Sequence, residues 1–221
     1  MECLTHQLLD KKSAKNLCSK LLAEKSQWID GKSTAGSHAA KTKKNLQLDR
    51  NSKTSQECSE EIIQLLESDL LIKSFCLPRE FHSLMFTLSR ESEGYGMHID
   101  NTYMSTGRSD LSFTLFLNEP DEYHGGELCI QSVQEQRNFK LNSGEIIIYP
   151  STSLHAVNTV SKGQRIVCVG WIQSYIASNE DRYTLFGLDA GARGLLAEHG
   201  QSQQLDLVFQ SYNNLLRRLG D

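Results

Sequence analysis

Apolar positions recur at helical spacing toward both ends of the chain and alternate in short runs through its middle. Near the start, Ala14, Leu17, Cys18, Leu21 and Leu22 share one side of a helical wheel, with Lys11, Lys12, Lys15 and Lys20 around the rest. Trp28-Ile29-Asp30-Gly31 closes this helix with a turn signal. Residues 32–53 are polar, with little periodicity before Leu46 and Leu48. They predict a long loop with a short edge strand, and such a loop in a compact domain is often a lid. A second helix is predicted over 55–71, with Ile62, Ile63, Leu65, Leu66 and Leu70 as its stripe and Ser55 or Ser59 as its cap. Leu77-Pro78 then breaks the chain.

From Phe81 the period shortens. Runs at 81–89, 94–100, 111–117, 127–131, 137–141, 145–149 and 165–171 read as strands separated by polar turns, of which Asn142-Ser143-Gly144 is hairpin-like. The run at 111–117 alternates: Leu111, Phe113, Leu115 and Leu117 on one face, Ser112, Thr114 and Phe116 on the other. Many short strands with polar turns point to a sandwich or barrel. Beyond them a short helix is predicted over 179–188. A final helix carries the stripe Leu205, Val208, Phe209, Tyr212, Leu215, Leu216 and Leu219, with Arg217 and Arg218 at its C-terminal end, where the helix dipole favours cations. That stripe should dock on the domain or on a second subunit, as in a homo-oligomer. The expected organisation is an N-terminal helical buttress with a polar loop (1–79), a β core (80–175) and a C-terminal helical extension (176–221).

Composition narrows the class. At 221 residues, 38% hydrophobic and 23% charged, the chain can bury a full core without staples. A net charge of -4 argues against a nucleic-acid partner. The six cysteines, Cys3, Cys18, Cys58, Cys76, Cys129 and Cys168, form no Cys-x-x-Cys pair and resemble neither a zinc site nor a disulfide framework. Cys129 and Cys168 lie in apolar runs, where cysteine acts as a small core residue. The first residues show no basic region followed by an apolar run. No stretch approaches the roughly 18 apolar residues of a membrane helix. The expectation is a reduced, cytoplasmic protein with no membrane partner.

The chemistry gathers around Gly94-Tyr95-Gly96-Met97-His98-Ile99-Asp100-Asn101. On a strand, His98 and Asp100 project from the same face. His155 follows the apolar run 145–149, and Arg165 opens the next strand ten residues further on. Two histidines and a carboxylate on one face make the triad that holds non-haem Fe(II) and leaves positions open for substrate and oxygen. An inward-facing carboxylate is costly unless paired or on a metal, so a metal is a physical reason for Asp100. The other features read more plainly. Gly125-Gly126-Glu127 is a tight turn, His38, His82, His124 and His199 are surface residues, Arg108 and Asp110 form a structural ion pair, and Trp171 lines the pocket or fills core, with core favoured.

The succession His-x-Asp, distal His and then a basic residue resembles the iron and 2-oxoglutarate-dependent dioxygenases. Within these, the chain is similar to the PKHD-type hydroxylases. The likeness is carried by Tyr95-Gly96-x-His98-x-Asp100-Asn101, by Ser109-Asp110-Leu111-Ser112, by Gly125-Gly126-Glu127-Leu128, by Tyr149-Pro150-Ser151-x-Ser153-Leu154-His155 and by Trp171-Ile172-Gln173-Ser174. The resemblance implies a double-stranded β-helix, or jelly roll. It implies Fe(2+) held by His98, Asp100 and His155, and Arg165 on the far carboxylate of 2-oxoglutarate. It implies a hydroxylase in which decarboxylation of 2-oxoglutarate to succinate and CO2 is coupled to hydroxylation by O2 of a C–H bond. The substrate would be a small molecule or a peptidyl residue, and L-ascorbate would keep the iron reduced. Where PKHD relatives commonly carry an Arg-Tyr pair before the first ligand, this chain has Leu88-Ser89; Tyr95 and Tyr149 are the candidate substitutes. Two other classes share parts of the pattern. One is a non-catalytic iron or 2-oxoglutarate sensor. The other is a cupin-like metalloprotein, which would usually show His-x-His.

Overall fold

The computed structural model describes residues 3–34, 42–104 and 106–220. His38 and much of the expected lid lie outside them. In chain order, β1 (Leu4–Gln7) leads into α1 (Lys11–Ala23); β2 (Trp28–Asp30), β3 (Lys43–Lys44) and β4 (Leu46–Leu48) precede α2 (Lys53–Ser68) and α3 (Leu70–Cys76). The strands β5 (Pro78–Ser89), β6 (Gly94–His98), β7 (Leu111–Phe116), β8 (Tyr123–Gly125) and β9 (Leu128–Gln131) follow. Then come β10 (Gln136–Phe139), β11 (Glu145–Pro150), β12 (Leu154–Val157), β13 (Val160–Gly163) and β14 (Arg165–Ser174), and finally α4 (Asn179–His199) and α5 (Gln203–Leu219).

The strands form a major sheet in the order β1-β11-β7-β14-β5-β4-β2 and a minor sheet in the order β10-β9-β12-β6-β3, with β8 and β13 as a separate pair. The register along β7 sorts its side chains. Leu111, Phe113 and Leu115 join the cluster that also contains Leu17 and Leu21 of α1, Ile62 and Leu66 of α2 and Ile72 of α3. Phe116 packs the other way, with Ile147, Tyr149 and Val167 of the major sheet and Leu128 and Ile130 of the minor one. Helices therefore cover one face of the major sheet, and the minor sheet covers the other. Both faces of β7 are buried, so the alternation read from sequence separates two interiors rather than core from solvent.

Local signals set the helix ends. Asp10 caps α1 by accepting from Ser13 N at 2.8 Å. Ser52, not Ser55 or Ser59, caps α2. The apolar stripe expected as one helix is divided at Asp69, whose side chain accepts from Ile72 N at 2.9 Å and starts α3. Leu77 then takes the left-handed conformation before Pro78. The expected short helix at 179–188 instead runs to His199. Gly187, Gly191 and Gly194 interrupt its apolar pattern, but tertiary contacts hold it: Asp189, 3% exposed, accepts from Ser74 Oγ of α3 and from Arg193 Nε. α5 packs against α4; Leu205 is buried and the rest of its stripe is half-buried. Cys58, Cys76, Cys129 and Cys168 are buried, and none of the six cysteines is in a disulfide. No helix among the described residues is long and apolar enough to cross a membrane.

Two features pin the sheet around the later site. The turn before β11 places Gly144 at φ +86°, and its carbonyl accepts from both Leu8 N and Leu9 N. Asp110, at the head of β7, accepts from Arg108 Nε at 2.7 Å and from Ser174 N at 2.9 Å, so the ion pair read from sequence ties β7 to the end of β14. A Cβ at Gly144 would lie 2.1 Å from Leu9 O. Gly144→Ala should therefore lower stability by about 1–3 kcal/mol in a urea melt. Asp110→Ala, which leaves Arg108 without its partner in a largely buried place, should cost about 3–5 kcal/mol. A change below about 1 kcal/mol, on the scale of surface substitutions, would show that the pair is not structural.

Candidate active site

The minor sheet brings the triad together. β12 pairs antiparallel with β6, and His155 stands directly opposite His98. Their ring centroids are 4.2 Å apart. Asp100 lies two residues past the end of β6, not within the strand as the i, i+2 reading had it, yet its carboxylate turns to the same point. One oxygen is 3.7 Å from His155 Nε2. One ligand atom from each of His98, Asp100 and His155 falls within 4.8 Å of the others.

Hydrogen bonds fix how these groups face. His98 Nδ1 donates to Gly96 O at 2.8 Å, and His155 Nδ1 donates to Ser153 O at 3.0 Å. A carbonyl only accepts, so each Nδ1 carries the proton and each Nε2 presents a lone pair. Burial and the neighbouring His155 push the pKa of His98 down to about 4, so it is a neutral imidazole near pH 7. Asp100 Oδ2 accepts from Ser112 Oγ at 2.6 Å, and the two hydroxyls of Ser112 and Ser151 are 2.7 Å apart. Ser151 can donate to Ser112 while Ser112 donates to the carboxylate, which gives Asp100 a buried hydrogen-bonded support. Ser112 was legible in the alternation of β7, which turns it and Thr114 away from the helices; the role of Ser151 needed the fold.

The triad opens onto a cavity of about 320 Å³ between the two sheets. Arg165 lines it and is 3% exposed. Its guanidinium sits over the Phe116 ring, 5.4 Å from the centroid, and Nε has no hydrogen-bond partner. Among the described residues no carboxylate lies within ion-pair distance of it. Burial lowers its pKa, opposed by the neighbouring Tyr123 and Tyr149, but a guanidinium stays charged. Gly126 makes room for it, since a Cβ there would lie 3.1 Å from Arg165 Cδ. The Gly125-Gly126 turn thus also shapes the cavity.

Several side chains fall differently from expectation. Trp171 lines the cavity, with Nε1 unpartnered, rather than only filling core. His82 is buried, not superficial, because its Nε2 donates to Arg108 O at 3.1 Å in the loop before β7; His124 and His199 are exposed as read. Tyr95 stacks on His98 with centroids 3.6 Å apart, and Tyr149 meets His155 edge-on at 5.2 Å. Burial raises the pKa of both phenols, that of Tyr95 to about 12, so both keep their protons and can donate. Leu88 faces the helix-covered core, whereas Ser89 lines the cavity opposite Arg165 in register.

The donor set fits a divalent first-row metal: two imidazole lone pairs and a carboxylate, with open space beyond. The buried guanidinium, with no described carboxylate in ion-pair distance, fits a carboxylate ligand. Residues 84–173 match the family model of the 2OG-Fe(II) oxygenase superfamily. A PKHD-type hydroxylase of Prochlorococcus marinus strain MIT 9313 is 64% identical over 220 residues, spanning 100% of both chains. Another, from Prochlorococcus marinus strain MIT 9303, is 62% identical over 220 residues with the same coverage. Among solved structures, a Pseudomonas putida prolyl-4-hydroxylase superposes with a TM-score of 0.55 at 15% identity, covering 78% of this chain and 92% of its own. A Trichoplax adhaerens prolyl hydroxylase, in complex with a hypoxia inducible factor peptide fragment, gives 0.56 at 11% identity, covering 83% and 86%. These two share the fold, a jelly roll. Identity of the level seen in the Prochlorococcus relatives, kept over the full length, makes this chain a member of the PKHD-type hydroxylases within the 2OG-Fe(II) oxygenase superfamily, and so an Fe(II)- and 2-oxoglutarate-dependent dioxygenase.

Proposed function

We propose that His98, Asp100 and His155 hold the Fe(II), that Arg165 binds the distal carboxylate of 2-oxoglutarate, and that Tyr149 replaces the upstream tyrosine of other PKHD relatives. The observation that carries this reading is the shared cavity: a convergent triad at one end and, within it, a buried guanidinium with no described carboxylate in ion-pair distance. Bound there, Fe(II) and 2-oxoglutarate supply the oxidising chemistry, in which one oxygen atom of O2 enters succinate and the other a C–H bond of the substrate.

The chain's own residues prepare that chemistry. The carbonyls of Gly96 and Ser153 hold the imidazoles in the tautomer that leaves each Nε2 free. Ser112 fixes the Asp100 carboxylate. Outer-shell bonds of this kind orient metal ligands and raise their basicity. Arg165 offers a fork matched to a carboxylate in a place from which water is largely excluded. Tyr149 meets His155 edge-on and lines the same cavity as Arg165 with its proton retained, able to donate to the cosubstrate. The substrate is a small molecule or a peptidyl residue, with no part for nucleic acid or membrane. L-ascorbate keeps the iron reduced, as the family resemblance implies. Six cysteines outside any disulfide support a reducing, cytoplasmic setting.

Anaerobic titration with metal and 2-oxoglutarate tests the assignment. Arg165→Ala should weaken 2-oxoglutarate by roughly two to three orders of magnitude, because removing one partner of a buried ion pair costs about 3–5 kcal/mol. Its metal affinity should barely change. Unaltered 2-oxoglutarate affinity would place the anchor elsewhere. Asp100→Ala should abolish metal-dependent succinate formation. Ser112→Ala should lower metal affinity about 10- to 100-fold while the fold persists.

A further inference from the structure

The short pair formed by β8 and β13 lies outside both main sheets and ends beside Arg165. In its register Tyr123 stands opposite Gly163, two residues before Arg165 opens β14. Tyr123 is 1% exposed. Lys140 fixes its place: Nζ lies 4.1 Å from the ring centroid and donates to Tyr123 O at 2.6 Å. A Cβ at Gly126 would lie 3.0 Å from Tyr123 Cε2 and 3.1 Å from Arg165 Cδ, so the phenol ring and the arginine stem flank one point. The cavity lining includes Arg165, and Lys43 and Arg50 on its wall, but not Tyr123. The ring therefore lies beside Arg165 without facing the cavity.

Both side chains carry an unmet polar atom. Tyr123 Oη and Arg165 Nε are buried, and neither has a hydrogen-bond partner among the described residues. An unbonded buried hydroxyl costs stability, and phenylalanine would fill the same space without it. The two groups are close enough to act on each other's charge. Burial raises the pKa of the phenol, and Arg165 draws it back down. Burial lowers that of the guanidinium, and Tyr123 opposes this ahead of Tyr149 and Glu127. Glu127 is engaged elsewhere, accepting from Asn158 Nδ2 at 3.2 Å. A guanidinium has five N–H groups and no acceptor. A carboxylate takes two of them as a fork, so those on the side away from the cavity need an acceptor of their own.

Resting on the assignment of Arg165 proposed above, we infer that Tyr123 is a positioning residue of the cosubstrate site. Its hydroxyl takes an N–H of Arg165 on the side away from the cavity, and so aims the rest of the fork at the distal carboxylate of 2-oxoglutarate. One hydrogen bond then satisfies both unmet atoms. The phenol does not touch the cosubstrate; its effect runs through the guanidinium.

The test uses the whole chain loaded with Mn(II) in the absence of oxygen, and calorimetric titration with two ligands. One is 2-oxoglutarate. The other is 2-oxobutyrate, which keeps the 2-oxo acid end and lacks the second carboxylate. Tyr123→Phe removes only the hydroxyl. It should weaken 2-oxoglutarate about 3- to 10-fold, the scale of one hydrogen bond, and leave 2-oxobutyrate and Mn(II) unchanged. In an Arg165→Ala background the same substitution should change nothing, because the two side chains act as a unit. Equal weakening of both ligands would show a general distortion, and no weakening of either an idle hydroxyl; each overturns the inference while Arg165 stands. A further loss of 2-oxoglutarate affinity in the Arg165→Ala background would put the phenol on the cosubstrate itself and overturn the positioning role. Thermal melts report whether each variant folds. Should Tyr123→Phe fail, Lys140→Met, which releases the ring, decides by the same selectivity for the ligand with two carboxylates. Unchanged 2-oxoglutarate affinity in Arg165→Ala alone would overturn the parent reading, and the inference with it.

Discussion

The antiparallel pairing of β12 with β6 is the contact on which the site depends. It sets His155 directly across from His98. Cross-strand neighbours lie about 4.5–5.5 Å apart, so two imidazoles there can share one ion. The carbonyls that orient the rings come from Gly96 within β6 and from Ser153 just before β12. A slip of one residue would turn one histidine to the opposite face. β9 on the far side of β12 and β3 on the far side of β6 hold that register from outside.

The major sheet answers with a division of labour between its faces. On β7, β11 and β14, alternate residues enter either the helix-packed core or the space between the sheets. The first set is apolar without exception among Leu111, Phe113, Leu115, Ile146, Ile148, Ile166 and Cys168. The second set mixes apolar packing with Ser112, Thr114, Tyr149 and Arg165. Buried polar groups are tolerable only when bonded or awaiting a ligand. Ser112 is bonded to Asp100. Arg165 Nε and Trp171 Nε1 have no hydrogen-bond partner among the described residues, and both line the cavity.

Electrostatics then distinguishes the parts of that cavity. The triad end has a carboxylate and two imidazoles, suited to a cation. Arg165, set against Phe116 and beside Gly126, is suited to one carboxylate.

Much of this was legible in the residues themselves. Alternation in 111–117 marked a strand with two distinct faces, and helical spacing marked α1, α2 and α5, because burial imposes its period on sequence wherever one element has one dominant face. His98, Asp100, His155 and Arg165 could be picked out because metal and carboxylate chemistry admit few residue types. The sequence did not determine where Asp100 would turn once β6 had ended, since that depends on Ser112 from a distant strand. Nor did it announce β1, β2 and β12, which are too short to carry a period and exist through the strands they pair with. The long α4 hid behind its glycines and stands because Asp189 meets Ser74. His82, Ser151, Lys43 and Arg50 carry no local mark at all. Their burial, or their place on the cavity wall, was decided only when tertiary structure brought separate segments around one space, because burial and charge balance are properties of neighbours in space and not of neighbours along the chain.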